Sequence, residues 1–276
     1  MSFRIELTKP FHFFRLILGL YLAVHFAHLY PWSLELFGSG GLLESIQLNP
    51  TAGLFPNVLG LFSGSGSFVY FFVATLILAA FALAGGLWVP VSALYLWYGW
   101  ACLFNANNLI ANPSLTYIGW MLLATAAIAA RPERSARPFV VAAWILLGVG
   151  YAISGWAKLK SPSWQNGEAM LHVFNNPLAR DYFLREWFAT LPTVLLRVLT
   201  WAVLALELLF LPMIVWSKTR VLAWTSMVAL HIGIALTVSF ADLTFGMLIA
   251  HCFVFSPSWT PALSARFLSK QRRQYA

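Results

Sequence analysis

The residue in this chain best placed to do chemistry is Lys158. It closes an apolar run, GVGYAISGWAKLK, at a point where an ammonium group is only partly in water. A lysine in that setting gives up its proton more readily and can act as a general base. The same position also suits a lysine that snorkels from a helix end to the membrane surface. Glu207, in LALELLFLP, and His231, in VALHIGIAL, lie near the middle of two later apolar runs. Ionisable groups in such runs are costly to bury, so they mark partners or pathways. On sequential antiparallel helices the two fall at comparable depth, and pairing would lessen the cost of burying either. Such a pair either holds two helices together or serves as a proton relay or head-group ligand. His251 lies in the last apolar run, toward its inner end. His25 and His28 stand at i and i+3 on one helix face. No outer Cys, Asp or Glu cluster completes a metal site around them, so no metal is expected. His12 and Arg15 are most simply interfacial.

These side chains need a scaffold, and composition says which. The chain has 276 residues, of which 60% are hydrophobic and 9% charged. A soluble domain carries about 25% charged residues. The expected fold is all-α: a polytopic transmembrane helix bundle of about eight spans, each needing roughly 20 apolar residues. The candidate spans are Phe11–Leu29, Phe68–Ala84, Val89–Leu103, Thr116–Ala130, Phe139–Ala157, Val194–Trp216, Val221–Val238 and Leu243–Phe255. The net charge of +8 does not point to nucleic acid, because the basic residues sit in short clusters beside apolar runs. Cys102 and Cys252 lie inside apolar runs and read as small core residues.

The positive-inside rule supports this span count. Four basic groups fall on one side: Arg4 with Lys9; Arg131, Arg134 and Arg137; Lys218 with Arg220; and Arg266, Lys270, Arg272 and Arg273. That side is read as cytoplasmic, with both termini inside. The segment 158–192 breaks the rule. It falls outside, yet holds Lys158, Lys160, Arg180 and Arg185 with Glu168, Asp181 and Glu186. Its apolar residues, Met170 to Phe188, recur amphipathically. That fits helices lying in the interface, a solvated charge-balanced loop, or a loop folded back over a site. Residues 258–276 form a basic cytoplasmic tail after a transmembrane domain over 1–257. Asn105, Asn107, Asn108 and Asn112 cluster at the outer ends of the third and fourth spans, where Asn is an ordinary turn residue. By topology they share an outer layer with His25, His28, Lys158 and Asp242.

The spacing of Tyr151, Gly155, Lys158, Leu159, Trp164, Gly167 and Met170 resembles the signature of the vitamin K-dependent γ-glutamyl carboxylase superfamily. Its bacterial members are the horizontally transferred transmembrane (HTTM) domain proteins. Other stretches agree in order: Arg15 in FFRLILGL; Asn112, Ser114, Tyr117 and Gly119; Glu207 followed by Pro212; and His231 followed by Leu243, Phe245, Gly246 and Met247. In the carboxylases the lysine matching Lys158 deprotonates vitamin K hydroquinone on the outer side.

The resemblance implies Lys158, His231 and Glu207 as catalytic candidates, and Asn112, Tyr117 and Trp164 as substrate-binding candidates; Asn108 and His25 join the substrate-binding candidates from the shared outer layer. It also implies a quinone or hydroquinone as cofactor. Two departures restrict it. Pro113 stands where the carboxylase has a histidine, and no counterpart of the carboxylase's large outer β-rich region is expected after the last span. The fold and a quinol or lipid pocket therefore carry over, and glutamate carboxylation does not. The expected setting is a multi-pass protein of a cell membrane, the bacterial inner membrane in particular. Its partners are the bilayer, a quinone or lipid ligand, and a second protein. Two other readings stay open: a non-catalytic membrane factor for maturation or export of another protein, and a transporter using Glu207 and His231.

Overall fold

A computed structural model describes residues 9–43, 49, 53–62, 65–132 and 136–259. The basic residues Arg4, Arg134, Arg266, Lys270, Arg272 and Arg273 lie outside them. The described residues are helical and contain no strand; Ala179 and Val238 make a single isolated bridge. Among the described residues, five segments are long and apolar enough to cross a bilayer: Pro10–Phe37, Gly66–Gly85, Arg137–Leu159, Thr193–Val215 and Ser217–Thr237. Ser114–Ala130 and Asp242–Val254 are shorter apolar helices. Lengths of this kind are what an integral membrane protein needs, since a helix satisfies its own backbone groups where water cannot.

The chain divides into two compact units, Met1–Arg137 and Pro138–Ala276. In the first, α1 (Lys9–Leu29) packs along α4 (Gly66–Gly85), and α5 (Val89–Ala106) packs between α4 and α6 (Ser114–Ala130). Two short helices, α2 (Ser33–Phe37) and α3 (Val58–Leu61), lie in the connection from α1 to α4. That connection supplies partners for the last turn of α5, whose carbonyls have none within the helix. Asn49 Nδ2 donates to the carbonyls of Phe104 (3.1 Å) and Asn105 (2.7 Å). Asn57 Nδ2 donates to the Cys102 carbonyl at 2.9 Å and to Asn105 Oδ1 at 3.1 Å.

The second unit holds α7 (Arg137–Leu159), α11 (Thr193–Val215), α12 (Ser217–Thr237) and α13 (Ala241–Val254). Between α7 and α11 come three short helices, α8 (Pro162–Gln165), α9 (Ala169–Phe174) and α10 (Phe183–Ala189). The turn from α11 to α12 is tight, and side chains of α12 serve the end of α11. Thr219 Oγ1 donates to the Met213 carbonyl at 2.6 Å and Arg220 Nε to the Ile214 carbonyl at 2.8 Å. The far end of α12 is served in the same way by the chain after α9. Arg180 donates through its backbone N–H to the Thr237 carbonyl at 2.9 Å and through Nε to the Ala235 carbonyl at 2.8 Å. A cation at a helix C-terminus is favourable by charge as well.

Candidate functional site

Lys158 sits in the last turn of α7 but not in open water. Its Nζ donates to Glu207 Oε2 at 2.7 Å, to Glu207 Oε1 at 3.0 Å and to Ser154 Oγ at 2.7 Å. The Trp164 ring lies 5.2 Å away, near enough for a cation–π contact. The Lys158 side chain is 24% exposed and that of Glu207 is 9% exposed. Ser154 and Lys158 are one turn apart on α7, so they share a face. Gly155 allows that face to meet α11 closely. A Cβ there would lie 2.9 Å from Leu208 Cγ and 3.2 Å from the Leu208 backbone nitrogen.

The pairing of Glu207 differs from the one expected. Its carboxylate bonds Lys158 of α7, not His231 of α12. Similar depth on neighbouring helices does not fix which faces meet, and the face of α11 that carries Glu207 meets α7. An ammonium also gains more than a neutral imidazole from a partly buried carboxylate.

His231 belongs to a second set. Its Nε2 lies 2.7 Å from the Tyr151 hydroxyl, and His251 Nε2 lies 2.8 Å from the same oxygen. The three groups come from α7, α12 and α13 and are all buried. Phe210 of α11 packs edge-on against Tyr151 at 4.8 Å, and Trp224 Nε1 donates to the His251 carbonyl at 2.9 Å. Tyr151 and Lys158 lie two turns apart on one face of α7, about 10 Å along the axis. That spacing was visible in the sequence; the hydroxyl's partners were not.

The segment after Lys158 folds back along α11. Glu207 lies roughly 20 Å along α11 from Thr193, so the end of α7 reaches the middle of that helix. The turns of α11 before Glu207 are covered by α8 and α9. The Met170 N–H, in the first turn of α9, donates to Thr200 Oγ1 at 3.1 Å. Trp201 Nε1 donates to the Gln165 carbonyl at 3.2 Å, and Arg197 stands 3.9 Å from Glu168. Gly167 makes the turn between α8 and α9 at φ +78°, a value L side chains rarely take. In the first part of 158–192, Trp164 lies against the lysine. Phe174 stacks on Phe188 at 4.4 Å, joining α10 to α9, while Leu178, Phe183 and Trp187 remain exposed.

The remaining candidates lie in the first unit. His25 is buried beside Trp100, with ring centroids 4.8 Å apart. Asn112 Oδ1 accepts from the Ser114 N–H at 2.9 Å and hydroxyl at 2.6 Å, which caps the start of α6. Asn107 Oδ1 accepts from the Leu109 N–H at 2.9 Å, and its Nδ2 donates to the Leu36 carbonyl at 2.9 Å. These are the turn roles the residue type suggests. Asn108 opens the short 3-10 turn that follows, and Tyr117, on α6, is half-buried. Among the described residues no group of three or more His, Cys, Asp or Glu side chains is arranged to hold a metal ion.

Comparison of the chain with family models, curated proteins and solved structures returns no match.

Proposed function

We propose that this chain is a multi-pass membrane enzyme whose site is the Lys158–Glu207 pair and whose substrate is a lipid-soluble hydroquinone or similar lipid. The reading takes the chain as a relative of the HTTM domain proteins, with eight spans, both termini in the cytoplasm and Lys158 facing outward across a bacterial inner membrane. One observation carries it. An amine, a carboxylate and a hydroxyl meet at hydrogen-bond distance in an apolar bundle, beneath the face of Trp164.

The residues present fit a ring diol. The indole offers a flat apolar face, and the amine and carboxylate offer groups that exchange a proton with a ring hydroxyl. A hydroquinone, when bound, supplies two electrons and two protons. Lys158 is the base that takes a hydroxyl proton. Glu207 receives a proton from the lysine before that step and holds the amine in place. Ser154 fixes the direction of Nζ. The cover formed by α8 and α9 keeps bulk water off the pair, which strengthens each of these contacts.

Native mass spectrometry of the purified protein with its co-purifying lipids tests this reading. A quinone carried by the wild type and lost in Lys158→Ala supports it. No ligand in either form, together with stable retention of another protein, would replace it with a non-catalytic partner role.

A further inference from the structure

The end of α12 borders a cleft that the Lys158 site does not use. α12 is long and apolar enough to cross a bilayer, so its end meets the interface. The chain between α9 and α10 is tied to that end. Ala179 and Val238 form a bridge, and the Ser239 N–H donates to the Leu178 carbonyl at 2.7 Å. Each of the last carbonyls of α12 has a donor. The Val238 N–H serves Ile234 at 2.8 Å, Arg180 Nε serves Ala235 at 2.8 Å, the Tyr182 hydroxyl serves Leu236, and the Arg180 N–H serves Thr237 at 2.9 Å. Beside these contacts lies an open cleft of about 520 Å³, lined by Arg180, Asp181, Tyr182, Ala235, Leu236 and Ser239.

Capping uses one of the five N–H donors of the Arg180 guanidinium. The other four, on Nη1 and Nη2, have no partner among the described residues, and neither has Ser239 Oγ. The capping bond fixes where the guanidinium stands, so the cleft holds an oriented cation. Asp181 follows directly. Its side chain is 95% exposed, and its carboxylate meets only Arg185 Nη1, at 3.4 Å. Apolar groups complete the setting. Leu236 is exposed on the wall of the cleft, Ile232 is exposed one turn earlier on α12, and Leu178 and Phe183 are exposed in the flanking chain.

We propose that this cleft binds a phospholipid with a phosphoethanolamine head. The phosphate oxygens accept from Arg180 Nη1 and Nη2 and from the Ser239 hydroxyl, a geometry that suits a guanidinium. The ammonium, two carbons away, donates to the Asp181 carboxylate. One acyl chain lies along Leu236 and Ile232. The charges select this head over others. An anionic glycerol head offers Asp181 no cation, and a choline head has no N–H to donate. A soluble phosphate compound leaves the apolar wall empty. Lipid bound here joins α12 to the chain between α9 and α10, and it does so whatever Lys158 binds.

Native mass spectrometry of the delipidated full-length protein tests this. The probes are phosphatidylethanolamine, phosphatidylglycerol and phosphatidylcholine with identical acyl chains, at equal concentration. Wild type is expected to retain phosphatidylethanolamine about tenfold better than either of the others, the size of one charge-assisted hydrogen bond. Arg180→Gln is expected to lower retention of all three. That variant also disturbs the cap of α12, so Asp181→Asn, at an exposed side chain, decides the matter separately. It is expected to lose the preference for phosphatidylethanolamine over phosphatidylglycerol while still binding lipid. Equal retention of the three lipids by wild type would overturn the proposal, and so would an unchanged preference in Asp181→Asn. Displacement of the lipid by an equal concentration of free phosphoethanolamine would overturn the lipid as occupant.

Discussion

At the scale of the residue, the Lys158–Glu207 contact is the feature on which most depends. Two charges in a partly dry bundle recover their desolvation cost only by meeting well. Here the carboxylate takes both oxygens to one ammonium, and Ser154 takes a further proton of it. Removing one partner strands the other. Glu207→Ala is expected to lower stability by about 3 kcal/mol, read as a fall in the thermal midpoint in detergent. Joint replacement, Lys158→Met with Glu207→Leu, is expected to restore most of that loss, because neither charge is then left alone. A double variant as unstable as Glu207→Ala would show that the pair is not coupled. Legibility at this scale was uneven. Lys158 and Glu207 were each marked by their cost in an apolar run. Their partnership was not, because depth along a helix can be read from sequence while the facing direction of two distant helices cannot. The buried set around Tyr151 was legible only as a spacing, since a tyrosine in an apolar run is ordinary until its hydroxyl is seen between two histidines.

At the scale of the element, α7, α8, α9 and α11 meet around the Lys158–Glu207 pair. Apolar run length foretold the long helices well: helix forms over each of the candidate spans, within a few residues. The segment 158–192 was the ambiguous part. Its amphipathic pattern fits an interface, a loop or a cover equally, because short helices carry too few turns to show which face is buried. In the structure its first part contacts α11 through Thr200 and Trp201. The approach of α7 to α11 is set by Gly155. Gly155→Ala places a methyl against the Leu208 side chain and 3.2 Å from its backbone nitrogen, so α11 must give by a few tenths of an ångström. The expected cost is about 1–3 kcal/mol, with a further effect on ligand retention because Lys158 moves away from Glu207. Gly233→Ala, where a Cβ meets nothing within 4 Å, is the matched control and is expected to lower neither, since alanine favours the helix over glycine.

At the scale of the whole molecule, composition was the most informative signal. A chain with so few charges has no way to cover a water-facing surface, and among the described residues five segments are long and apolar enough to cross a bilayer. The eight-span arrangement makes a separate prediction. Single cysteines at Asn57 and Lys160 are expected to react with an impermeant maleimide added outside intact cells. Cysteines at Arg131 and Lys218 are expected to react only after the membrane is opened. Labelling of Lys218 from outside would reverse the second half of the topology. Labelling of Lys160 only from inside would remove the outward-facing site with it.

The central claim is that Lys158 acts as a base toward a hydroquinone. The most direct measurement is the aerobic oxidation of a short-tailed hydroquinone by the protein in lipid nanodiscs, comparing wild type with Lys158→Met. A deprotonated hydroquinone reacts with oxygen faster than its neutral form, so the wild type is expected to accelerate the loss of hydroquinone over empty nanodiscs. Lys158→Met is expected to abolish that acceleration, provided its thermal midpoint shows it is folded. Equal rates for wild type, variant and empty nanodiscs would contradict the claim, as would a folded variant as fast as the wild type.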